Sequence, residues 1–528
     1  MFCAQEGSDI MALEYRVIGP PGTGKTTTIR NRVARWVRDG EYEPEHIVLT
    51  SFSRSAAQEL AGAVSVPPEN VSTLHSLARR AIGSAPIAEV MPLSKEWDES
   101  GIPPQWRLNQ GKTADLEDGL MLNDASGVSL ARYSLARSMN LPQDDPVWKG
   151  LAPFETAWEK FKEKTGSVDF TDMIVNAINT PGACPSEPPV IMVDEAQDLT
   201  PIQWSLVRKW AAHPSVEKFF VMGDPAQAIY SFAGARPEEM LTPLAPGQQH
   251  VLNHSYRMPR AIQAHAEKYL SRHSGAIMDG RHYTPRDEEG VVRHLSVNWK
   301  KPAILVDEIN RVIRTGRTVM ILATCSYMLD RVIYEMRQRG LMFQNQWRKA
   351  NHKWNPISVR TDVTTRTMDR VQAFYRGESP HLWVPMLSAD VYAMRGGKKH
   401  VMDAPEEWEA WFKPEHVMAA RLHDMKWLEQ YAMREFEHSV SYAARIISFF
   451  GVDALEDKIR ISIGTIHSVK GGEADVVYVF PDVSTAGAEE MGSQTGRDAA
   501  IRLGYVAMSR ARQELVICDT AGSATPLL

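Results

Sequence analysis

One run, Gly19-Pro20-Pro21-Gly22-Thr23-Gly24-Lys25-Thr26, has the residue types and spacing to hold a triphosphate. It fits the pattern G-x-x-x-x-G-K-[ST] and continues into Thr27 and Thr28. Backbone N–H groups of such a loop wrap phosphate oxygens, Lys25 neutralises β/γ charge, and the Thr26 hydroxyl can ligate Mg²⁺. A second run, Asp194-Glu195-Ala196-Gln197, follows an apolar stretch. There Asp194 would hold the metal, directly or through water, and Glu195 would orient and deprotonate the attacking water. A third run extends from Gly223 to Ala235. Gln227 can hydrogen-bond the γ-phosphate or the water. Tyr230 and Phe232 either stack on nucleic-acid bases or belong to the core.

These groups need a scaffold that presents them on one edge. Leu13 to Ile18 reads as a strand and Thr26 to Arg38 as a helix without Gly or Pro, the strand–loop–helix setting a phosphate loop requires. The apolar runs Ile47–Thr50, Val190–Val193 and Phe219–Met222 read as buried parallel strands, each ending in polar residues. The second half repeats the theme at Thr318–Ala323, Val476–Phe480 and Leu515–Cys518. The expected fold class is therefore α/β, with two doubly wound parallel-sheet cores. Two stretches interrupt the cores. Ala81 to Val168 has Pro-rich turns and helical pieces such as Glu155 to Lys164. Leu341 to Ser439 is rich in tryptophan, and Pro414 to Phe450 reads as helical.

Composition narrows the classes. The 528 residues are 43% hydrophobic and 23% charged, as in ordinary globular proteins. A net charge of −6 gives no global basic signal, so a nucleic-acid groove would have to be a local patch. Cys3, Cys184, Cys325 and Cys518 show no metal or disulfide spacing, which suggests a reducing compartment. No apolar run approaches the roughly 18 residues of a membrane span. A cytoplasmic enzyme with no membrane partner is expected.

In chain order, further runs carry a resemblance. They are Ser51-Phe52-Ser53-Arg54-Ser55-Ala56-Ala57, Ser72-Thr73-Leu74-His75, Asp169-Phe170-Thr171-Asp172, Asn253-His254-Ser255-Tyr256-Arg257, Thr465 to Glu473, and Tyr505 to Arg512. With the three runs above, this series resembles UvrD/Rep-type superfamily 1 DNA helicases. The resemblance implies two RecA-like cores, each with an inserted, mainly helical subdomain. The first core would be 1–80 and 169–250, with insertion 81–168. The second would be 251–340 and 440–528, with insertion 341–439. It implies a triphosphate between the cores, with Arg257 and Arg510 as arginine fingers from the second. Tyr256 would stack on the base and Glu473 would contact the ribose. Phe52, Thr73, His75, Tyr230, Phe232 and His467 would line a single-strand channel, and Arg54 could add positive charge. His75 and His467 could instead be core histidines. Arg395-Gly396-Gly397-Lys398-Lys399-His400 reads first as an exposed charged loop and second as part of the DNA path.

The implied activity is ATP-dependent 3′→5′ translocation on single-stranded DNA with unwinding of duplex, using ATP or another NTP and Mg²⁺. A translocase that strips proteins from DNA, or a nucleic-acid-responsive switch, would carry the same motifs. Expected partners are single-stranded DNA, single-strand/duplex junctions and a protein loader, with the chain acting as a monomer. Three departures stand out. Only Gln5 precedes the phosphate loop where the family reads adenine, so the base is left open. Ala233 stands where the third motif usually has Arg. Gly472 replaces a usual Leu, which suggests a more flexible turn. The stretch after Arg512 is short, which suggests a compact member.

Overall fold

The computed structural model describes residues 13–52, 54–108, 127–275, 277, 280–348, 353–356, 367–522 and 526–528, and within these the side chains of residues 54 and 55 are not described. Gln5 and the Arg54 side chain therefore lie outside the described part.

Six parallel strands form the first sheet: β1 (Glu14–Ile18), β2 (Ile47–Ser51), β3 (Val71–Thr73), β4 (Val190–Asp194), β5 (Lys218–Gly223) and β6 (Gln249–Val251). Their order is β3-β2-β4-β5-β1-β6. β2 and β4 are buried at every position, because helices cover both faces. On one face Ile29, Val33 and Trp36 of helix Lys25–Arg38 pack with Leu49, Met192, Phe220 and Met222. On the other, Leu77, Ile174, Trp204 and Trp210 pack with Val48, Ile191 and Val221. Register pairs Ser51 with both Thr73 and Asp194, so the carboxyl ends of β2, β3 and β4 finish level. A short irregular pair follows, β7 (His254–Pro259) with β8 (Thr284–Arg286).

The second sheet holds β9 (Val291–Leu295), β10 (Val319–Ala323), β11 (Phe343–Gln344), β12 (Ile461–Thr465), β13 (Ala474–Val479) and β14 (Ala511–Cys518), in the order β11-β12-β10-β13-β14-β9. The apolar runs singled out in the sequence fall on strands of the two sheets, within two residues at their ends except at Leu515–Cys518, whose strand begins earlier, at Ala511. Two α/β cores built on parallel strands are thus present.

The insertion in the first half has its own aromatic core of Trp97, Tyr133, Phe154, Trp158 and Phe161 around helix Ala152–Thr165. In the second, helices Thr367–Tyr375, Pro414–Arg421, Met425–Tyr431 and Glu437–Phe450 bury Trp354, Trp383 and Trp427 in one core with the second sheet.

By contacts the chain groups into two compact units, Met1–Val291 with Ala486–Arg510, and Val292–Thr485 with Ala511–Leu528. Residues 251–291 and 486–510, which the sequence division puts in the second core, group here with the first sheet. Buried polar bonds from Arg281 to Asp224 and Tyr505 link these segments to the end of β5.

Candidate nucleotide and nucleic-acid site

In a doubly wound sheet the strand carboxyl ends form the natural binding edge. The phosphate loop leaves β1 there and enters the helix Lys25–Arg38 through Gly24, whose φ of 81° is left-handed. Thr23 Oγ1 donates to Pro20 O at 2.8 Å, tying the loop across its base. Lys25 Nζ donates to Gly19 O at 3.0 Å and stands 3.8 Å from Glu195 Oε1. Thr26 and Thr27 open the helix, half-buried and exposed respectively. The helix N-terminus and its free N–H groups give this loop the electrostatics of an anion site.

Gly22 is required by its surroundings. Its φ is +71°, and a Cβ there would lie 2.3 Å from Arg257 Cβ and 2.9 Å from Ser255 Oγ. The β7 segment docks directly on the loop: Tyr256 N donates to Gly22 O at 2.8 Å and Ser255 Oγ to Pro21 O at 2.7 Å. Tyr256 is 69% exposed beside the loop, with its ring edge-on to His254. Arg257 and Arg510 both belong to the compact unit that carries the phosphate loop.

Asp194 closes β4 and is buried. Burial, and then the neighbouring Glu195, push its carboxyl up to about 7 against the pull of Lys25. Its Oδ1 is buried without a hydrogen-bond partner among the described residues. An orphaned carboxylate oxygen at a strand end, one residue from a second carboxylate, is a donor that fits a hard divalent cation. Glu195 has a left-handed φ of 53°. That strained backbone turns the chain from strand into the short helix Ala196–Asp198.

From Glu195 a chain of polar bonds runs along the edge. Gln197 Nε2 donates to Glu195 Oε2 at 2.6 Å, and Asp224 N donates to Gln197 Oε1 at 3.0 Å. Gln227 Nε2 donates to Asp224 Oδ2 at 2.7 Å. Arg510 Nη2 donates to Gln227 Oε1 at 3.0 Å, and its Nε to Val506 O. Gly223 is glycine because a Cβ would meet Gln197 Oε1 at 2.3 Å. Motif reading missed Gln197 and Asp224 as members of this chain, although both stand in runs it quoted.

The aromatic residues assigned to the strand path are partly brought together. Tyr230 packs on Phe52 at 5.3 Å and on Phe232 at 6.1 Å. Tyr230 is buried, so of the two open readings its ring is core, whereas Phe52 and Phe232 are half-buried. Thr73 caps the helix Leu74–Ala81 by accepting from Ser76 N, and His75 meets Phe170 edge-on. Asp169, fully buried, accepts from Lys162, Trp158 and Arg137, and so fixes the first insertion to the helix Phe170–Asn179. Arg502, also buried, donates to Ala228 O and Ser231 Oγ, both at 2.8 Å. A guanidinium thus does reach the segment where Ala233 replaces the usual Arg.

In the second unit, His467 is half-buried in the turn after β12, and Glu473 is exposed and paired with Arg512 at 2.7 Å. The expectation for Gly472 needs correction. The residue that takes the left-handed conformation in the turn is Gly471, with φ +89°. Gly472 instead makes room: a Cβ there would come within 2.4 Å of the Trp347 indole. The run Arg395–His400, read in the sequence as a loop, enters the helix Gly397–Asp403; Lys398 Nζ donates to Pro385 O and the His400 ring stacks on Trp411, while Arg395 and Lys399 are exposed.

Comparison with known proteins agrees with this geometry. Residues 8–244 match the UvrD/REP helicase N-terminal domain, and residues 461–518 match the UvrD-like helicase C-terminal domain. The chain is 24% identical over 363 residues to DNA helicase IV of Escherichia coli (strain K12), covering 59% of this chain and 52% of that protein. It is 26% identical over 263 residues to the ATP-dependent DNA helicase UvrD2 of Mycobacterium tuberculosis (strain ATCC 25618 / H37Rv), covering 43% and 36%. To the ATP-dependent DNA helicase PcrA of Leuconostoc citreum it is 24% identical over 245 residues, covering 43% and 32%. The chain therefore spans about half, or less, of the length of the curated relatives it matches. The first match covers β1 to β5 of the first sheet and the second covers β12 to β14 of the second, and the chain belongs to the UvrD/Rep family of helicases.

Proposed function

We propose that this chain is an ATP-dependent DNA helicase that moves 3′→5′ along single-stranded DNA and separates duplex ahead of it. The observation that carries the reading is the bonded series Glu195–Gln197–Asp224–Gln227–Arg510, which begins 3.8 Å from the phosphate-loop lysine. It joins the groups that would hold, attack and neutralise a triphosphate in one hydrogen-bonded series.

In this reading the loop N–H groups and Lys25 bind the β- and γ-phosphates, and Thr26 with Asp194 holds Mg²⁺. When bound, that ion neutralises phosphate charge and lowers the barrier to displacement. Glu195 accepts the proton of the attacking water. The water oxygen bonds the γ-phosphorus as the bond to the bridging oxygen breaks, leaving nucleoside diphosphate and phosphate. Arg257 and Arg510 stabilise the charge spread over the transferring group. Tyr256, exposed beside the loop, stacks on the base, and Glu473 contacts the ribose. Phe52, Thr73, His75, Phe232 and His467 contact the strand, with Tyr230 backing the Phe52 ring. Product release relaxes Gln227, and movement passes to the strand-binding segment five residues or fewer away. The second sheet, which bears Thr465–Glu473, is the other half of the motor.

Strand displacement on matched duplexes with a 3′ or a 5′ single-stranded tail tests this. Displacement that needs NTP and a 3′ tail is expected. Displacement from the 5′ tail would reverse the polarity. Strand-stimulated hydrolysis without displacement would favour a translocase that clears bound proteins.

A further inference from the structure

Arg281 belongs to none of the motifs. Its side chain is 2% exposed, and that of its partner Asp224 is 0% exposed. Arg281 Nε donates to Asp224 Oδ1 at 2.9 Å and Nη2 to Oδ2 at 2.8 Å. Two parallel bonds between planar groups fix the orientation of the carboxylate as well as its place. Asp224 uses that orientation at once. Its Oδ1 accepts from Ala226 N at 3.1 Å and its Oδ2 from Gln227 Nε2 at 2.7 Å. A glutamine amide has a donor end and an acceptor end. With the donor end committed to Asp224, the acceptor end of Gln227 faces Arg510 Nη2. The direction of the Gln227 amide is thus decided by Asp224, and that of Asp224 by Arg281.

Arg281 is held in turn from behind. Its Nη1 donates to Glu267 Oε1 at 3.0 Å and its Nη2 to Tyr505 Oη at 2.6 Å. Tyr283 and Tyr505 hydroxyls donate to the same Glu267 oxygen, at 2.7 and 3.0 Å. Among the described residues, no buried side-chain polar atom of Asp224, Glu267, Arg281, Tyr283 or Tyr505 is left without a partner. Charges buried this deeply seldom stabilise a fold better than apolar side chains of the same volume would. Their value lies in fixing direction, and what they point at is the Gln227–Arg510 pair.

We propose that Arg281 is a positioning residue for hydrolysis, acting through Asp224 to set the orientation of Gln227 and, through Gln227, of Arg510. The inference rests on the nucleotide site proposed above and adds a supporting layer to it. Arg281 itself touches neither phosphate nor water in this account. Its loss should therefore lower kcat and leave NTP affinity nearly intact.

The test is steady-state NTP hydrolysis by the full chain with saturating single-stranded DNA, in a cycle of wild type, Arg281→Lys, Gln227→Ala and the double variant. Lysine keeps the charge but cannot bond both carboxylate oxygens in one plane. Misplacement of this kind costs about 10²-fold in rate. The expected result is that Arg281→Lys lowers kcat by about that factor with KM within about threefold. On the Gln227→Ala background the same change should cost less than about threefold, because the group it acts through is gone. Two losses that multiply would overturn the proposal, as would a parental kcat in Arg281→Lys. A fall in kcat that merely tracks a fall in folded fraction, read by circular dichroism, would overturn it too. Should Arg281→Lys fail to fold, Glu267→Gln loosens Arg281 from the solvent side and takes its place in the cycle. A wild-type chain without NTPase activity would sink the nucleotide site itself, and the Arg281 proposal with it. An active wild type with a multiplicative cycle would sink only the latter.

Discussion

Gly22→Ala isolates a single feature of the nucleotide site, the contact between the phosphate loop and β7. The substitution adds one methyl group at a φ of +71°. A left-handed φ costs a non-glycine residue about 1–2 kcal/mol. The methyl would also stand 2.3 Å from Arg257 Cβ, 2.9 Å from Ser255 Oγ and 3.0 Å from Arg257 N. Two of these neighbours are fixed by the backbone, so they must move, and overpacking of this sort costs about 1–3 kcal/mol more. Gly40 supplies the control. Its φ is +68°, and a Cβ there would meet nothing within 4 Å. Gly40→Ala should therefore pay the backbone term alone. In urea unfolding, Gly22→Ala should be less stable than Gly40→Ala by about 1–3 kcal/mol. In hydrolysis assays Gly40→Ala should match the parent. Gly22→Ala should lose kcat, because it drives Arg257 off the loop and breaks the Tyr256 N–Gly22 O bond. Equal stability and equal turnover in the two variants would refute the claim that β7 is seated on the loop.

Other outcomes follow from neighbouring contacts. Arg510→Ala should lower kcat by on the order of 10³-fold with little change in folding, read by single-turnover hydrolysis. In Glu89, burial and then Asp169 push the carboxyl up to about 8 from an ordinary 4.5. The fold thus favours its protonated form, and stability declines as pH rises from about 4.5 through about 8. Glu89→Gln should remove that slope, gaining on the parent with rising pH in denaturation curves and levelling off above about 8. Gly472→Leu should displace the Trp347 indole and destabilise its unit by about 1–3 kcal/mol, with a change in tryptophan fluorescence.

The scaffold was legible because its signals are local. Ile47–Ser51, Val190–Asp194 and Lys218–Gly223 are short apolar runs with no polar face, a pattern that demands cover on both sides. The phosphate loop was legible for the same reason, since glycine, lysine and threonine act there through adjacent backbone. What escaped depends on partners far apart in the chain. Arg281 meets Asp224 across 57 residues and Tyr505 across 224, and no spacing rule links them. Gly472 misled because its neighbours in sequence suggest a loose turn, whereas the deciding atom belongs to Trp347. Tyr230 and Phe232 are two residues apart and of one chemical kind, yet one is buried and the other half-buried. Tyr230 packs on the Phe52 ring, which lies far from it in the chain. The segment 486–510 is a similar case. Residues 486–510 lie far along the chain, but Arg502 and Arg510 bond to Ala228 and Gln227.

The most direct measurement is the rate of NTP hydrolysis by the parent and by Lys25→Ala, each with and without single-stranded DNA. The parent is expected to hydrolyse NTP and to accelerate severalfold or more on the strand, while Lys25→Ala stays folded and inactive in both conditions. Hydrolysis by Lys25→Ala at the parental rate would contradict the assignment of the phosphate loop. A parental rate indifferent to the strand would contradict the claim that this site drives motion along DNA.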